Sequence, residues 1–337
     1  MRHRGRSVRA LRIMVFRPWF PAVAAFVAAW AHLCQGVDRI LGIPQRTTLH
    51  LQHMNGWSIG IYAGATPVTL APHPMVRNPV LTVRDVRDVR AAFVADPFMV
   101  QHEGAWVLFF EVFNEAVRRG EIAYATSRDG VQWQYQHVIL RESFHLSYPY
   151  VFWWNDAFYM VPETAAAGEV RLYRARRFPD MWSVVATLLP YGYVDSSLVQ
   201  HDGRWWMFTA EAARKDTLRL YHAPAPIGPW QEHPASPIVQ GDPGRARPAG
   251  RAIVHDGRIL RFAQDASERY GRCVRTFAVT TLTASSYEEV ELGVIAAASG
   301  KGWNRRGMHT VDVHEQRPGQ WIAAVDGFAR DYLFISY

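Results

Sequence analysis

Cysteine is scarce: Cys34 and Cys273 are the only two in 337 residues. Two distant thiols give neither the density of a disulfide scaffold nor the spacing of a zinc site, so both read as small packed hydrophobes. Acidic residues are missing from the start of the chain. Arg2, Arg4, Arg6, Arg9, Arg12 and Arg17 all precede the first acid, Asp38, and they account for most of the formal net charge of +7. The remaining body is close to neutral. A nucleic-acid reader needs a basic face on its folded domain; no such stripe is visible, so nucleic acid is excluded as a partner. A long apolar run is missing too. The stretch from Ala22 to Ala31 is stopped by His32 and is short for a membrane span.

Residues 1–46 therefore form a basic and apolar segment with two readings. Ala29-Trp30-Ala31 resembles a small-x-small cleavage site behind an Arg-rich start, the outline of a signal peptide that would export the chain. The other reading is a short helical segment lying on the folded body or on an anionic membrane surface, with the protein cytoplasmic or peripheral to the inner membrane. Nothing in the sequence sets the oligomeric state.

What is abundant points to strands. Thirteen Trp, 14 Tyr and 17 Phe suit half-buried pleated surfaces, and 24 Gly with 20 Pro punctuate short elements. Five segments from Trp57 onward repeat one layout: a polar residue, an apolar strand, a turn, an aromatic strand and a closing acid. The first runs from Asp96 through a His102-Glu103-Gly104 turn to Glu111, the second from Tyr148 through Asn155-Asp156 to Glu163. The third runs from Asp195 through His201-Asp202-Gly203 to Glu211, the fourth from Gly250-Arg251 through His255-Asp256-Gly257 to Asp265. The fifth runs from His309 through Pro318-Gly319 to Asp326. Asp-Gly and Asn-Asp between apolar runs are strong hairpin signals.

A spacing of roughly 50 residues fits one four-stranded blade per unit, so residues 57–337 are predicted to be an all-β, five-bladed β-propeller. In an antiparallel hairpin the first strand starts where the second ends. The opening residues and closing acids should then share one mouth: Asp96 with Glu111, Tyr148 with Glu163, Asp195 with Glu211, Arg251 with Asp265, and His309 with Asp326.

Val94-Ala95-Asp96-Pro97-Phe98, His145-Leu146-Ser147-Tyr148-Pro149-Tyr150-Val151, Met160-Val161-Pro162-Glu163-Thr164 and Gly307-Met308-His309 carry a resemblance. They resemble the N-terminal propeller domain of the glucosamine inositolphosphorylceramide transferase family, which includes bacterial relatives. More distantly the pattern is similar to the five-bladed propellers of glycoside hydrolase family 43. The first resemblance implies the fold. For the reaction it implies little, because the recognised glycosyltransferase module of the plant members lies in a separate C-terminal domain that this chain lacks.

The second resemblance implies an Asp base opening blade one, matched by Asp96, and a pKa-tuning Asp opening blade three, matched by Asp195. The acid expected in blade four has no match, since Arg247-Pro248-Ala249-Gly250-Arg251-Ala252 contains no Glu.

The expected catalytic set is accordingly Asp96, Glu163 and Asp195, with Glu163 or Glu211 supplying the acid. Inverting hydrolysis needs two carboxyl groups roughly 6.5–9.5 Å apart, and crowding raises the pKa of one of them. His145, Tyr148, Glu111, Glu211, Arg251, Asp265 and His309 are the candidate substrate-binding residues. Arg247 and Arg251 could clamp a phosphate or carboxylate, or pair with Asp265. One Trp of each doublet, Trp153-Trp154 and Trp205-Trp206, is expected between blades and the other exposed, where a ring near the mouth could stack on a sugar.

No residue is assigned as a metal ligand, although a structural divalent ion such as calcium could sit on the axis. Inner-strand acids have a rival structural role, bonding backbone amides and tying blades together. The expected partner is a saccharide or glycosyl conjugate, either turned over at the mouth or bound there without catalysis by a module serving envelope polysaccharide or glycolipid assembly.

Overall fold

The computed structural model describes the backbone of residues 10–14 and 50–336 and the side chains of residues 56–330. The signal-like or helical reading of residues 1–46 lies outside these, except at β1 (Ala10–Met14), which is a strand. Among the described residues only two short 3-10 turns are helical, Ala165–Ala167 and Gly302–Asn304. No described helix is long and apolar enough to cross a membrane. The chain divides into two compact units. One is Met1–Gly56 with Ala329–Tyr337, in which β1 pairs antiparallel with Tyr332–Ser336; the other is Trp57–Phe328.

The larger unit is a five-bladed propeller. After β2 (His50–Thr66) and β3 (Thr69–Pro72), blade one contains β4 (Ala91–His102), β5 (Ala105–Asn114), β6 (Arg119–Ser127) and β7 (Gln134–Leu140). Blade two contains β8 (Ser147–Trp154), β9 (Ala157–Glu163), β10 (Val170–Arg177) and β11 (Met181–Leu189). Blade three contains β12 (Tyr193–His201), β13 (Arg204–Glu211), β14 (Leu218–Ala223) and β15 (Gln231–Glu232). Blade four contains β16 (Ile253–His255), β17 (Arg258–Asp265), β18 (Cys273–Leu282) and β19 (Tyr287–Ala297). Blade five is composite: β20 (Val311–Arg317) pairs with β21 (Gln320–Ser336), which adjoins β2 and then β3. The ring is thus closed by a strand from before blade one lying beside the last strand of the chain.

Local sequence explains the hairpins. At Glu103-Gly104, Asn155-Asp156, Asp202-Gly203 and Asp256-Gly257 both central residues have positive φ, between 45° and 75°. Two-residue turns of this hand match the twist of the flanking strands. The core lies between blades. Phe98 of blade one meets Tyr148 and Tyr150 of blade two, Phe109 meets Phe178 and Trp182, and Phe152 of blade two meets Trp205 of blade three at 5.4 Å.

Of the tryptophan doublets, Trp153-Trp154 divides into one exposed and one packed ring as expected, and Trp205-Trp206 does not. Trp205 and Trp206 are both buried, the second against His222 and His233. Trp153 is exposed but sits beside the β8–β9 turn, away from the strand ends that carry the acids, so it is no platform at the mouth.

Candidate functional site at the propeller mouth

Three inner strands begin with the same defect. The pairing register slips by one residue between Ala95 and Phe98, between Ser147 and Tyr150, and between Val194 and Ser197. The extra residue in each bulge is Asp96, Tyr148 or Asp195, with φ of 52°, 46° and 53°. Bulges bend a strand and re-aim a side chain, and they gather beside active sites. Asp tolerates the left-handed region; a bulky Tyr is unusual there and costs of order 1–3 kcal/mol that its surroundings must supply.

Register also decides which acids converge. Ala95 faces Glu111 and Ser147 faces Glu163, while Asp326 donates its amide to Thr310. Each of these acids lies five residues beyond the aromatic residue second in its strand, Trp106, Phe158 or Trp321. Five residues beyond Trp205 and Ile259 stand Ala210 and Gln264. Glu211 and Asp265 are one residue further on, and in a strand one residue turns the side chain to the other face. Glu211 accordingly bonds Arg219 at 2.6 Å. Asp265 bonds Ser267, Arg272 and Arg275; against burial, which would raise it, Ser267 and Arg275 hold its carboxyl down at about 2. Neither joins the mouth cluster, against expectation.

The cluster itself has three parts. Asp96 is buried, accepts from Thr310 Oγ1 at 2.8 Å and from the Tyr148 amide at 3.3 Å, and lies 3.6 Å from His309 Nε2. His309 Nδ1 is 2.7 Å from Asp326. Glu163 and Asp195 share Arg247, which pairs closely with Asp195 and stands 3.6 Å from Glu163. Glu111 lies 3.6 Å from His145 Nε2, and one of its carboxylate oxygens, like one of Asp195, is buried without a hydrogen-bond partner.

The charges perturb one another. Burial, and then the charge of Asp195, push Glu163 up to about 8. Burial lifts Asp96 to about 6, with the His309 charge pulling the other way. Glu111 is driven well above the usual range by burial and by the charges of Asp96 and Glu163. His145 falls to about 4 through burial and the nearby Arg247.

Two aromatic residues outside the expected set complete the wall. Trp57 stacks on His309 at 3.9 Å, and Tyr270, 38% exposed, sits edge-on to the same imidazole at 5.3 Å with Arg247 over its ring. Neither belongs to the hairpin repeat: Trp57 lies on the closing strand β2 and Tyr270 in the β17–β18 loop, so periodicity had no signal for them. A strained neighbour marks Tyr270. Gly271 has φ of 66°, and a Cβ there would meet Trp57 at 2.5 Å.

Beneath the mouth the axis is filled. The Tyr148 hydroxyl meets Ser197 Oγ at 2.8 Å and the Gly250 amide at 2.7 Å. Tyr148 is therefore a strut between blades, although it was expected to bind substrate. Arg251 pairs with Asp312 at 2.8 Å and lies over the Tyr150 ring. That places Arg251 away from Asp265, its expected neighbour, and leaves it no free face for a phosphate.

Calcium fits poorly. Asp96, His309 and Asp326 bring ligand atoms within 4.8 Å of one another. However, Asp326 Oδ1 already accepts the amides of His309 and Thr310 at 3.0 Å, and Oδ2 accepts that of Asp96 at 3.1 Å. This is the structural role open to inner-strand acids, and it occupies both Asp326 oxygens, leaving Asp96 as the one carboxylate of the trio to face a cation, too few for the roughly six to eight oxygens that calcium takes.

Fold and mouth together define a five-bladed propeller of the architecture found among glycoside hydrolases. The catalytic domain of the GH62 α-L-arabinofuranosidase of Coprinopsis cinerea superposes with a TM-score of 0.55 at 13% identity, over 84% of this chain and 97% of its own. A GH130 structure, from a family described as mannoside phosphorylases that contains hydrolases of β-1,2 mannosidic linkages, gives 0.54 at 10% identity, over 84% and 96%.

Residues 51–328 match the model of the glucosamine inositolphosphorylceramide transferase 1 N-terminal domain, and the chain belongs to that family. Proteins named glucosamine inositolphosphorylceramide transferase 1 from Oryza sativa subsp. japonica and Arabidopsis thaliana are 35% and 34% identical over 97% and 80% of this chain. The chain spans about half the length of these plant relatives, 48% and 39% respectively.

Proposed function

We propose that the mouth is a saccharide site that hydrolyses or transfers a glycosyl group, with Glu163 as general acid, Asp96 as general base and Asp195 tuning Glu163. The observation that carries this reading is the Glu163–Arg247–Asp195 group standing within electrostatic reach of Asp96. An acid must hold its proton near neutral pH and a base must not. Glu163 at about 8 and Asp96 at about 6 meet those needs in one site. Glu163 protonates the departing glycosidic oxygen as the C–O bond breaks, and Asp96 takes the proton of the attacking water or acceptor hydroxyl.

The names of the plant relatives join an amino sugar with an inositol phosphoceramide. A glycosyl conjugate of that kind is the substrate class we assign. A second reading, recognition of a glycan without turnover, draws on Arg247, which occupies the blade-four segment where the hydrolase pattern carries an acid.

The test is glycan-array binding followed by mass spectrometry of products, on wild type and on Asp96→Asn and Glu163→Gln. Release or transfer of sugar by wild type and its loss in both variants supports the catalytic reading. Binding without product supports the second. Full turnover in both variants would sink the assignment of the two carboxyls.

A further inference from the structure

Two histidines border the mouth, and they are held in opposite ways. His145 Nδ1 accepts the Gly120 amide at 2.9 Å, so that nitrogen carries no proton and the ring is neutral. His309 meets no such donor. Its Nδ1 lies 2.7 Å from Asp326 and its Nε2 3.6 Å from Asp96, a carboxylate at each end. Neither contact is an aligned hydrogen bond, but a negative charge beside each nitrogen favours the charged imidazolium through Coulomb attraction.

The ring cannot turn to escape this arrangement. Trp57 lies flat against it at 3.9 Å and 15°, a face that also stabilises a cation. Tyr270 closes the edge at 5.3 Å. Asp326 holds the backbone on either side, accepting the amides of His309, Thr310 and Asp96.

We propose that His309 is a positioning residue, an imidazolium clamped between Asp326 and Trp57 that keeps the Asp96 carboxylate charged and aimed into the mouth. This rests on the reading of Asp96 as the base of the site. The need for a cation follows from the company Asp96 keeps. Asp326 from β21, Asp195 from β12, Glu111 from β5 and Glu163 from β9 all face it as acids, with Tyr270 from the β17–β18 loop. Arg247 is the other cation nearby, and it is committed to Asp195 and Glu163. Without His309, Asp96 would keep its proton to higher pH and stand ready as a base in a smaller share of molecules near neutrality.

Carboxyl-carbon NMR titration of Asp96 in the full chain tests this without any substrate, so it stands apart from whether turnover is ever found. We expect wild-type Asp96 to titrate near 6, and His309→Gln to move that midpoint up by about one unit or more, a tenfold change in its acidity. An unchanged or lowered midpoint overturns the proposal. Should His309→Gln fail to fold, imidazole nitrogen shifts in the wild type decide. A doubly protonated His309 at pH 7 supports the clamp; a neutral ring there overturns it. Where turnover is found, the acid limb of the pH–rate profile in His309→Gln follows the Asp96 midpoint.

Discussion

At the residue scale the mouth is a balance of protons among crowded carboxyls. If Asp96 must be ionised and Glu163 protonated, turnover should follow a bell with limbs near 6 and near 8. Glu163→Gln, which cannot titrate, is expected to lose the alkaline limb and to lower the rate by about 10²–10⁴-fold. A profile flat from pH 5 to 9 would count against both roles. Tyr148 is a different case. Its hydroxyl bonds Ser197 and Gly250 deep on the axis, so Tyr148→Phe leaves buried partners unsatisfied and should cost about 1–3 kcal/mol. Denaturant unfolding would show this as a lower midpoint with an unchanged slope. Unaltered stability would return Tyr148 to the list of ligand-binding candidates. Asp96 and Glu163 were legible because each sits in a distinctive sequence piece. Glu211 and Asp265 were misplaced because a hairpin argument locates a strand end only to within a residue, and one residue changes the face.

At the element scale the blades are legible and their inner edges are not. Asp-Gly and Asn-Asp turns marked the hairpins, and the alternation of large apolar residues marked their strands. The bulges left no comparable signal, since they arise from packing five strands around one axis. Blade four shows the cost of that crowding. Gly250 has φ of 134°, and a Cβ there would collide with the Val311 carbonyl of blade five. The backbone cannot retreat, because Ala249 is bonded to both Phe262 and Val311. Gly250→Ala should therefore destabilise by more than about 4 kcal/mol. Gly257→Ala, at a φ of 73° with nothing within 4 Å, should cost only about 1–2 kcal/mol. Equal melting temperatures for the two variants would show that the inner ring is looser than its packing indicates.

At the scale of the whole propeller, ring closure and the mouth are one structure. Trp57, which stacks on His309, also meets Phe328 at 4.6 Å, so the first and last residues of the propeller unit pack beside the site. Fivefold repetition made the ring legible, but not its closure, because β2 lies outside the repeat and its partner β21 is distant in sequence. The acids gathered by that closure make the fold itself sensitive to pH. Asp96, Glu163 and Glu111 all have pKa values raised on folding. A raised carboxyl binds its proton more tightly in the native state, so between its unfolded and folded values the native chain carries more protons and stability falls as pH rises. His309 acts in the same direction. Its pKa is raised, so the stability it contributes is complete below its ordinary 6.5 and is lost as pH climbs through the folded value. Asp265 and Asp312 oppose this in acid, where protonating their ion pairs removes stability toward pH 2, and His145, lowered to about 4, opposes it up to its ordinary 6.5 because the folded chain resists charging it. The melting temperature should therefore be highest below neutrality and decline from about pH 6.5 to pH 9, where only the raised groups still titrate. Glu163→Gln, relieved of ionising a buried group, should melt higher than wild type at pH 8.5 and flatten the decline. Calorimetry across that range decides it: a wild-type melting temperature that rises with pH, or a variant that melts lower at pH 8.5, would mean that the mouth carboxyls are not held under the strain their burial implies.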